Sequence, residues 1–273
     1  MSAATTGAIR IRAARPADKP AVRRLVSRIW SDDYLLEVFD EWVRDRRGRL
    51  WVATIDGRVV GVAKLSLVGD RESWLHALRV DPAYRRRGVA AALLTHRIER
   101  AKRYGARVAR LDTAEGNVAV RKLMRRFAFR VIGRYTLFVA RSRSVDPPRR
   151  GRAAETAVLM RLTGDDPLND QYIRRLVTPR DVARAIRDGD CYVSERAGAF
   201  AIVTQYRDRL RLPYVAGRGA ELRALLESLR GEAKRRGMRS VAVGLRRDMW
   251  AAARAAGYRR VWDDAMLVFE RRL

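Results

Sequence analysis

Residues 75–94, LHALRVDPAYRRRGVAAALL, decide the fold because they predict a strand, a polar turn and a helix in immediate succession. Asp81 and Pro82 end the strand, since proline has no N–H to donate. A helical run opens at Gly88. The first amides of a helix have no partner within it, and the helix dipole adds positive charge there. The turn, which also carries three arginines at 85–87, is therefore suited to an anion such as a pyrophosphate.

The spacing R-x-x-G-x-A within this stretch is filled by Arg85, Gly88 and Ala90. It resembles the acetyl-coenzyme-A loop of the GNAT acetyltransferase superfamily, and LRVDPAY resembles the strand that leads into that loop. The pattern is neither a Walker loop nor a Rossmann G-x-G-x-x-G, and it lies between a strand and a helix, as a motif claim requires. The alternative is an ordinary helix N-terminus with solvated arginines.

The flanking elements predict the order β-α-α-β-β-β-α-β, which is also the order of the GNAT fold. A hairpin at Asp56-Gly57 joins two of the strands, and a strand pair ending at residue 139 is expected after a further helix. The pattern T-x-x-x-N-x-x-V-x-x-L-x-x-x-x-A-F begins at Thr113, contains Asn117 and resembles the second cofactor segment of the family. The resemblance covers roughly residues 8–142.

The second half of the chain repeats the first in outline, with a strand expected at 157–162 and a helix capped by Thr178. From the long helix onward the two halves match at an offset of 129. The repeat lacks the loop, because only four residues, 216–219, precede the helix, and it lacks the asparagine. We therefore predict an α/β fold with a mixed sheet, organised as two tandem GNAT-like acyl-CoA N-acyltransferase domains of which the second is degenerate.

Domain boundaries follow from the composition. Residues 143–153 carry two prolines, are strongly basic and have no apolar periodicity, which is typical of a linker. We predict a GNAT domain with the acetyl-CoA site over residues 1–142 and the degenerate domain over 154–273, which would cover one side of the first and shape the acceptor cleft.

The formal charge of +28 raises the question of nucleic-acid binding. Only five of the 59 basic residues are lysine, and the arginines are spread along the whole chain. This distribution favours a compositional bias over a binding groove, so RNA or DNA binding stays open but is not favoured. Attraction to polyanions in general, including the phosphates of coenzyme A, is the safer inference.

Cysteine and histidine are scarce. Cys191 is the one cysteine, and His76 and His96 are the two histidines, which excludes an intramolecular disulfide framework and makes a metal cofactor unexpected. The chain has no run of 18 apolar residues, and its N-terminus lacks the apolar core of a signal peptide. We expect a cytoplasmic protein without a membrane partner.

The resemblance implies how acetyl-CoA would be bound. The backbone of residues 78–80 would pair with the pantetheine arm, the amides of residues 86–90 would bind the pyrophosphate, and Asn117 would bond to the arm. The N–H of Val80 is the predicted donor to the developing oxyanion. The predicted cofactor-binding residues are Leu78, Val80, Arg85, Arg86, Arg87, Gly88, Val89, Ala90 and Asn117.

The acid and the base are less directly implied. Many family members carry a tyrosine acid where this chain has Met124, and a base glutamate where it has Trp74. Tyr135 lies close by in sequence and could replace the acid if the loop before it folds back. His76, with a reference pKa near 6.5, could replace the base, although packing within the sheet explains it equally well. A bulge in its strand would change the face that it uses.

Acceptor contacts are expected between the first two helices. Trp30, Asp33, Tyr34 and the strand residue Trp74 are the predicted substrate-binding residues; helix capping is the alternative for Asp33. The phrase W-L-x-x-L-R-V-x-P at 74–82 is similar to a branch that includes amino-acid Nα-acetyltransferases. A free amino acid or small amine is therefore the first acceptor class, and a protein N-terminus or lysine the second.

The resemblance thus implies an acetyl-CoA-dependent N-acetyltransferase. Two alternatives remain: a basic RNA- or DNA-binding protein on the same scaffold, and a sensor that binds acetyl-CoA without turnover. Binding of acetyl-CoA, thiol release and salt-dependent binding of nucleic acid separate the three.

Overall fold

The structure, a computed structural model, describes residues 7–69, 71–164, 167–170 and 173–273. The first half of the chain forms β1 (Arg10–Ala13), α1 (Lys19–Val26), α2 (Leu35–Arg44), β2 (Gly48–Ile55), β3 (Arg58–Val68), β4 (Glu72–Val80), α3 (Val89–Arg103), β5 (Val108–Ala114), α4 (Val118–Arg126) and β6 (Arg130–Arg141). The predicted element order is confirmed.

One expectation in this half is wrong. The predicted strand pair ending at residue 139 is the single strand β6 of 12 residues. Gly133 does not make a turn there; a Cβ at Gly133 would lie 2.5 Å from Cε2 of Tyr135. The glycine makes room for the tyrosine ring, and the strand continues through it.

The second half forms β7 (Arg149–Arg150), α5 (Thr156–Leu162), β8 (Pro167–Asp170), β9 (Ile173–Leu176), α6 (Pro179–Arg187), β10 (Cys191–Val193), β11 (Ala199–Tyr206), β12 (Arg209–Gly217), α7 (Gly219–Arg235), β13 (Ser240–Leu245), α8 (Trp250–Ala255), β14 (Arg259–Arg260) and β15 (Met266–Arg272). The strand expected at 157–162 is wrong, because that segment is helix α5. A short apolar run does not distinguish a strand from a short helix by periodicity.

The chain divides into two compact units that alternate along the sequence. Unit 1 consists of the described residues up to Leu111, with Leu123–Arg130 and Phe269–Leu273; unit 2 consists of Asp112–Lys122 and Val131–Val268. These units cut across the predicted boundaries at 142 and 154, since most of β6 belongs to unit 2 and the last five residues belong to unit 1. Sequence patterns are read along the chain, so they do not show that a unit is built from segments that are distant in the sequence.

Unit 1 contains the strand order β1-β2-β3-β4-β5. Neighbouring strands are antiparallel except β4 and β5, which are parallel. The β4–β5 ladder joins Glu72 to Val108 and ends where Trp74 pairs with Arg110, while β4 continues to Val80. The second part of β4 therefore lies beyond the ladder with β5.

A β-bulge interrupts β4 just after this point. Lys64 pairs with His76, but two residues earlier in β3 Val62 pairs with Arg79, so β4 contains one extra residue. Ala77, within the bulge, has a positive φ of 54°. An extra residue disrupts the ladder locally and changes the direction of the groups that follow it. The bulge that the sequence left open is present.

Unit 2 repeats this geometry. Its strand order is β6-β13-β12-β11-β10-β7, and β12 and β13 are parallel. The β12–β13 ladder ends at Leu212 and Val243, whereas β12 continues to Gly217. The β11–β12 register also contains an extra residue in β12, between Arg211 and Tyr214. Both halves thus have a bulged strand that extends beyond the end of the ladder with its parallel neighbour.

The last residues of the chain are fixed within unit 1. The Leu273 N–H donates to the Arg107 carbonyl at 2.8 Å. The carboxylate of Glu270 accepts from Nε of Arg110 and from Nη2 of Arg130, both at 2.9 Å. Burial alone would raise the pKa of Glu270, but the hydrogen bonds from Arg130 and Arg110 hold that pKa below its usual value.

Glu270→Gln should lower the free energy of unfolding by about 2 kcal/mol, because two charge-assisted hydrogen bonds are weakened at a largely buried site. Urea denaturation at neutral pH measures this, with Glu99→Gln, at an exposed position of α3, as the control. Because the folded-state pKa is depressed, the wild-type advantage is complete above the ordinary glutamate pKa of about 4.3 and is lost as the pH falls further. A pH-independent difference would contradict this account.

Candidate active site

The turn between β4 and α3 is held by Asp81. Its carboxylate accepts from the Ala83 N–H at 3.0 Å and from Arg28 at 2.9 Å. Residues Pro82–Tyr84 form one turn of 3₁₀ helix, after which Arg86 takes a positive φ of 63°. The loop is thus fixed at its start by hydrogen bonds and turns sharply before the helix begins.

Gly88 is the N-cap of α3 and has a left-handed conformation, with φ 84°. A Cβ there would meet only Cδ1 of Ile9, at 3.9 Å, so the space in front of the backbone is open. Other residues adopt this conformation only at a cost. The neighbouring arginines 85–87 are exposed, and the guanidinium of Arg87 lies 5.1 Å from the Tyr84 ring centroid.

These features fit the phosphate groups of a coenzyme. Helix α3 has 15 residues, so its dipole is well developed, and the first amides, including those of Val89 and Ala90, have no acceptor within the helix. An open backbone at a helix N-terminus next to three cationic side chains is suited to a diphosphate.

The N–H of Val80 points away from β3. Val80 is opposite Gly61, and the next amide, that of Asp81, donates to the Val60 carbonyl at 3.0 Å. In an antiparallel ladder this pattern marks Val80 and Gly61 as the pair that does not exchange hydrogen bonds. The Leu78 carbonyl already accepts from Nη1 of Arg79, at 3.2 Å.

His76 lies in the core of unit 1. It is 8% exposed, its Nε2 is hydrogen-bonded to the Ser66 hydroxyl at 3.0 Å, and its ring meets the Trp42 ring edge-on. Burial lowers the pKa of His76 well below 6.5, and nearby cations lower it further. The contacts favour the packing interpretation, with a neutral ring. Trp74 is also buried, at 1% exposure, so its side chain offers no surface to an acceptor, contrary to our expectation.

Three of the four expected acceptor residues, Trp30, Asp33 and Tyr34, form one cluster around Arg79. Nε of Arg79 donates to Asp33 at 2.7 Å, and the Arg79 guanidinium lies 4.4 Å from the Trp30 ring centroid and 5.7 Å from that of Tyr34. The other oxygen of Asp33 accepts from the Leu35 N–H at 3.1 Å. The Asp33 carboxylate is therefore paired with Arg79 and also accepts at the start of α2, which favours a structural use over direct contact with an acceptor. Trp30 remains half exposed.

The remaining predicted residues, Asn117 and Tyr135, belong to unit 2. Oδ1 of Asn117 accepts from the Val120 N–H at 3.2 Å and so caps α4, which leaves its NH₂ group as donor. Tyr135 is 7% exposed, and the Arg174 guanidinium lies 5.2 Å from its ring centroid. Arg174 also donates to Asp112 at 2.8 Å. Sequence reasoning missed Arg79 and Arg174, because one arginine among 54 carries no signal of its own.

Comparison with known proteins agrees with this geometry. Residues 18–129 match the model of the Acetyltransferase (GNAT) family. A search of the curated proteins found no match. That region of the chain is a GNAT acetyltransferase domain, from a family that uses acetyl-CoA as the acyl donor.

Solved structures share the fold over nearly the whole chain. A GCN5-related N-acetyltransferase from Sphaerobacter thermophilus has a TM-score of 0.68 at 15% identity, covering 97% of this chain and 95% of that one. One from Kribbella flavida has a TM-score of 0.58 at 18% identity, covering 100% and 73%. A tandem GNAT protein from the clavulanic acid biosynthesis pathway has 0.58 at 16%, covering 97% and 98%. The predicted fold class is confirmed.

The described residues contain no helix with the length and apolar character needed to cross a membrane. They also contain no group of three or more His, Cys, Asp or Glu side chains placed to hold a metal ion.

Asp33→Asn should lower the free energy of unfolding by about 3 kcal/mol, because it breaks a buried ion pair and leaves Arg79 without its carboxylate. Chemical denaturation measures the loss. The neighbouring Asp32 is exposed, and Asp32→Asn should change stability by less than about 0.5 kcal/mol. Equal effects of the two substitutions would show that the ion pair contributes nothing.

Proposed function

We propose that the protein is an acetyl-CoA-dependent N-acetyltransferase that transfers an acetyl group to a primary amine. A free amino acid or small amine is the first acceptor class, and a protein N-terminus or lysine is the second. The observation that carries the proposal is the Val80 N–H, which points away from β3 on a strand that leads into an open, glycine-capped helix N-terminus.

Acetyl-CoA would supply a thioester carbonyl for direct attack by the amine. The amides of residues 86–90 bind and orient the diphosphate, and the exposed arginines 85–87 add attraction. Val80 N–H donates to the carbonyl oxygen as negative charge develops on it. A donor fixed by a strand loses little free energy to reorganisation during the reaction, which is why such donors accelerate acyl transfer.

Asn117 and Tyr135 keep the roles that the sequence suggested. Asn117 donates to the pantetheine arm through its NH₂ group, and Tyr135 protonates the departing thiolate. The buried, neutral His76 is not used as the base; water carries the amine proton to solvent instead. Trp30 and Tyr34 contact the acceptor, while Asp33 fixes Arg79 beneath them.

Acetyl-CoA should raise the melting temperature of the protein, and Gly88→Asp or Arg87→Glu should abolish the shift, because each places negative charge where the diphosphate binds. Thermal denaturation with and without acetyl-CoA measures it. Gly57→Asp is the matched control: Gly57 also has positive φ and open space around it, but it lies in the β2–β3 turn. Absence of any shift in the wild type would end the proposal.

Thiol release with a panel of amines then distinguishes the transferase from the two alternative functions. Release above the hydrolytic background supports the transferase, whereas binding without release across the panel supports the acetyl-CoA sensor. Gel shifts that weaken steeply with salt, without any effect of acetyl-CoA, support the nucleic-acid-binding alternative.

Tyr135→Phe should lower kcat by about 10²-fold, the usual contribution of a general acid.

His76→Gln should leave the pH dependence of kcat/KM unchanged, because the low pKa of His76 keeps the ring neutral at physiological pH. Steady-state kinetics between pH 6 and 9 measure both. Loss of an ionisation in the His76→Gln profile would restore His76 as the base.

A further inference from the structure

Arg97 is a cation in the core of unit 1 without an acidic partner. It lies on α3, is 2% exposed, and pairs with no carboxylate within the part of the chain that the structure describes. Burying a charged group without a counter-charge is costly. Burial lowers the pKa of Arg97 to about 9, which still leaves it charged at neutral pH.

Among the described residues, the guanidinium of Arg97 donates only to backbone carbonyls. Nε donates to the Leu93 carbonyl one turn earlier in α3, at 3.2 Å. Nη1 donates to the Lys64 carbonyl of β3 at 3.2 Å and to the His76 carbonyl of β4 at 3.3 Å. One side chain therefore ties the helix to two neighbouring strands.

The two strand carbonyls belong to the cross-strand pair at the edge of the bulge. Lys64 and His76 are the last regular pair before the register shifts, and Ala77 follows with its positive φ. A bulge leaves backbone groups without ladder partners, and a buried carbonyl without a donor costs free energy. Arg97 provides donors at the place where the ladder is disrupted.

The bulge determines the direction of the Val80 amide. The side-chain and hydrogen-bonding phases of a strand alternate with a period of two, so removal of one extra residue would reverse every group beyond it. Without the bulge, the Val80 N–H would point towards β3 and enter the ladder. The contacts of Arg97 therefore bear on the group that the proposed reaction uses.

The second half offers an internal comparison. At the offset of 129 that aligns the two halves, Leu226 of α7 takes the place of Arg97, and it is fully buried. The bulge of β12 includes Pro213, which has no N–H to donate. A leucine is compatible with a bulge in the half that lacks the cofactor loop, so the charge at Arg97 is not a requirement of the fold alone.

We propose that Arg97 is a positioning residue: it holds the β4 bulge in the register that directs the Val80 N–H at the reacting carbonyl. The expected effect of Arg97 on kcat rests on the proposed acetyl transfer. It concerns a residue that does not touch the substrate and acts through the backbone of β4.

Arg97→Lys and Arg97→Met test the proposal by kinetics. Lysine keeps the charge but has no second nitrogen, so it cannot donate to the helix carbonyl and to the strand carbonyls from separate atoms; methionine keeps the bulk alone. We expect kcat to fall about 10-fold with lysine and about 10²-fold with methionine, the cost of losing an oxyanion donor. The Kd of acetyl-CoA should change less than twofold, because the diphosphate loop is intact.

Arg103→Lys and Arg103→Met are the matched controls, since Arg103 is exposed on the same helix. They should keep wild-type kcat. The kinetics are normalised to the fraction of molecules that bind acetyl-CoA, which removes any effect of partial unfolding. If Arg97→Met does not fold, Arg97→Lys carries the test. Normalised kcat values equal to those of the wild type would overturn the proposal.

Amide exchange of Val80, followed by NMR, provides a readout without turnover. In the wild type the amide should exchange rapidly, and in the Arg97 variants at least 10-fold more slowly if the bulge is lost and the amide joins the β3 ladder. Unchanged exchange overturns the role of Arg97 even in an active enzyme. Slowed exchange together with no thiol release from the wild type upholds the role of Arg97 and refutes the transferase function.

Discussion

The extra residue in β4 is the constraint on which the arrangement of unit 1 depends. Before it, β4 pairs with β3 and, as far as Trp74, with β5; after it, the strand keeps its pairing with β3 in a shifted register. The shift places Arg79 where its guanidinium reaches Asp33, and it turns the Val80 amide away from the ladder. A local departure from regular pairing thus sets both the cluster around Arg79 and the proposed oxyanion donor.

Arginine has a structural use in both units that bears on the high positive charge. Arg97 binds carbonyls, Arg110 joins Glu72 to Glu270, and Arg236 binds both Asp190 and Glu232. The planar guanidinium can serve several acceptors at once, which an ammonium group does less well. These internal uses give part of the charge a structural role and weaken the inference from net charge to nucleic-acid binding.

Sequence patterns predict the elements that depend on neighbouring residues, but they do not predict contacts between residues that are distant in the sequence. The element order, the hairpin at Asp56-Gly57 and the glycine-capped helix follow from turn residues and periodicity, and the structure has them. Asp33 and Arg79 are 46 positions apart in the sequence, and their pairing also depends on the bulge, so no spacing rule reveals it. The sequence predicts a strand where the structure has the helix Thr156–Leu162, because a short apolar run suits either element.

A comparison of the two halves distinguishes the features that the fold requires from those that accompany the cofactor loop of the first half. In both halves a bulged strand extends beyond the end of its parallel ladder, so this geometry is a property of the fold. Only the first half has a long loop of exposed arginines before its helix, and only there does the helix carry a buried cation beneath the bulge. The second helix begins directly after Arg218 and has Leu226 at that position. The features confined to the first half are those to which we assign binding of the diphosphate and support of the backbone beside it.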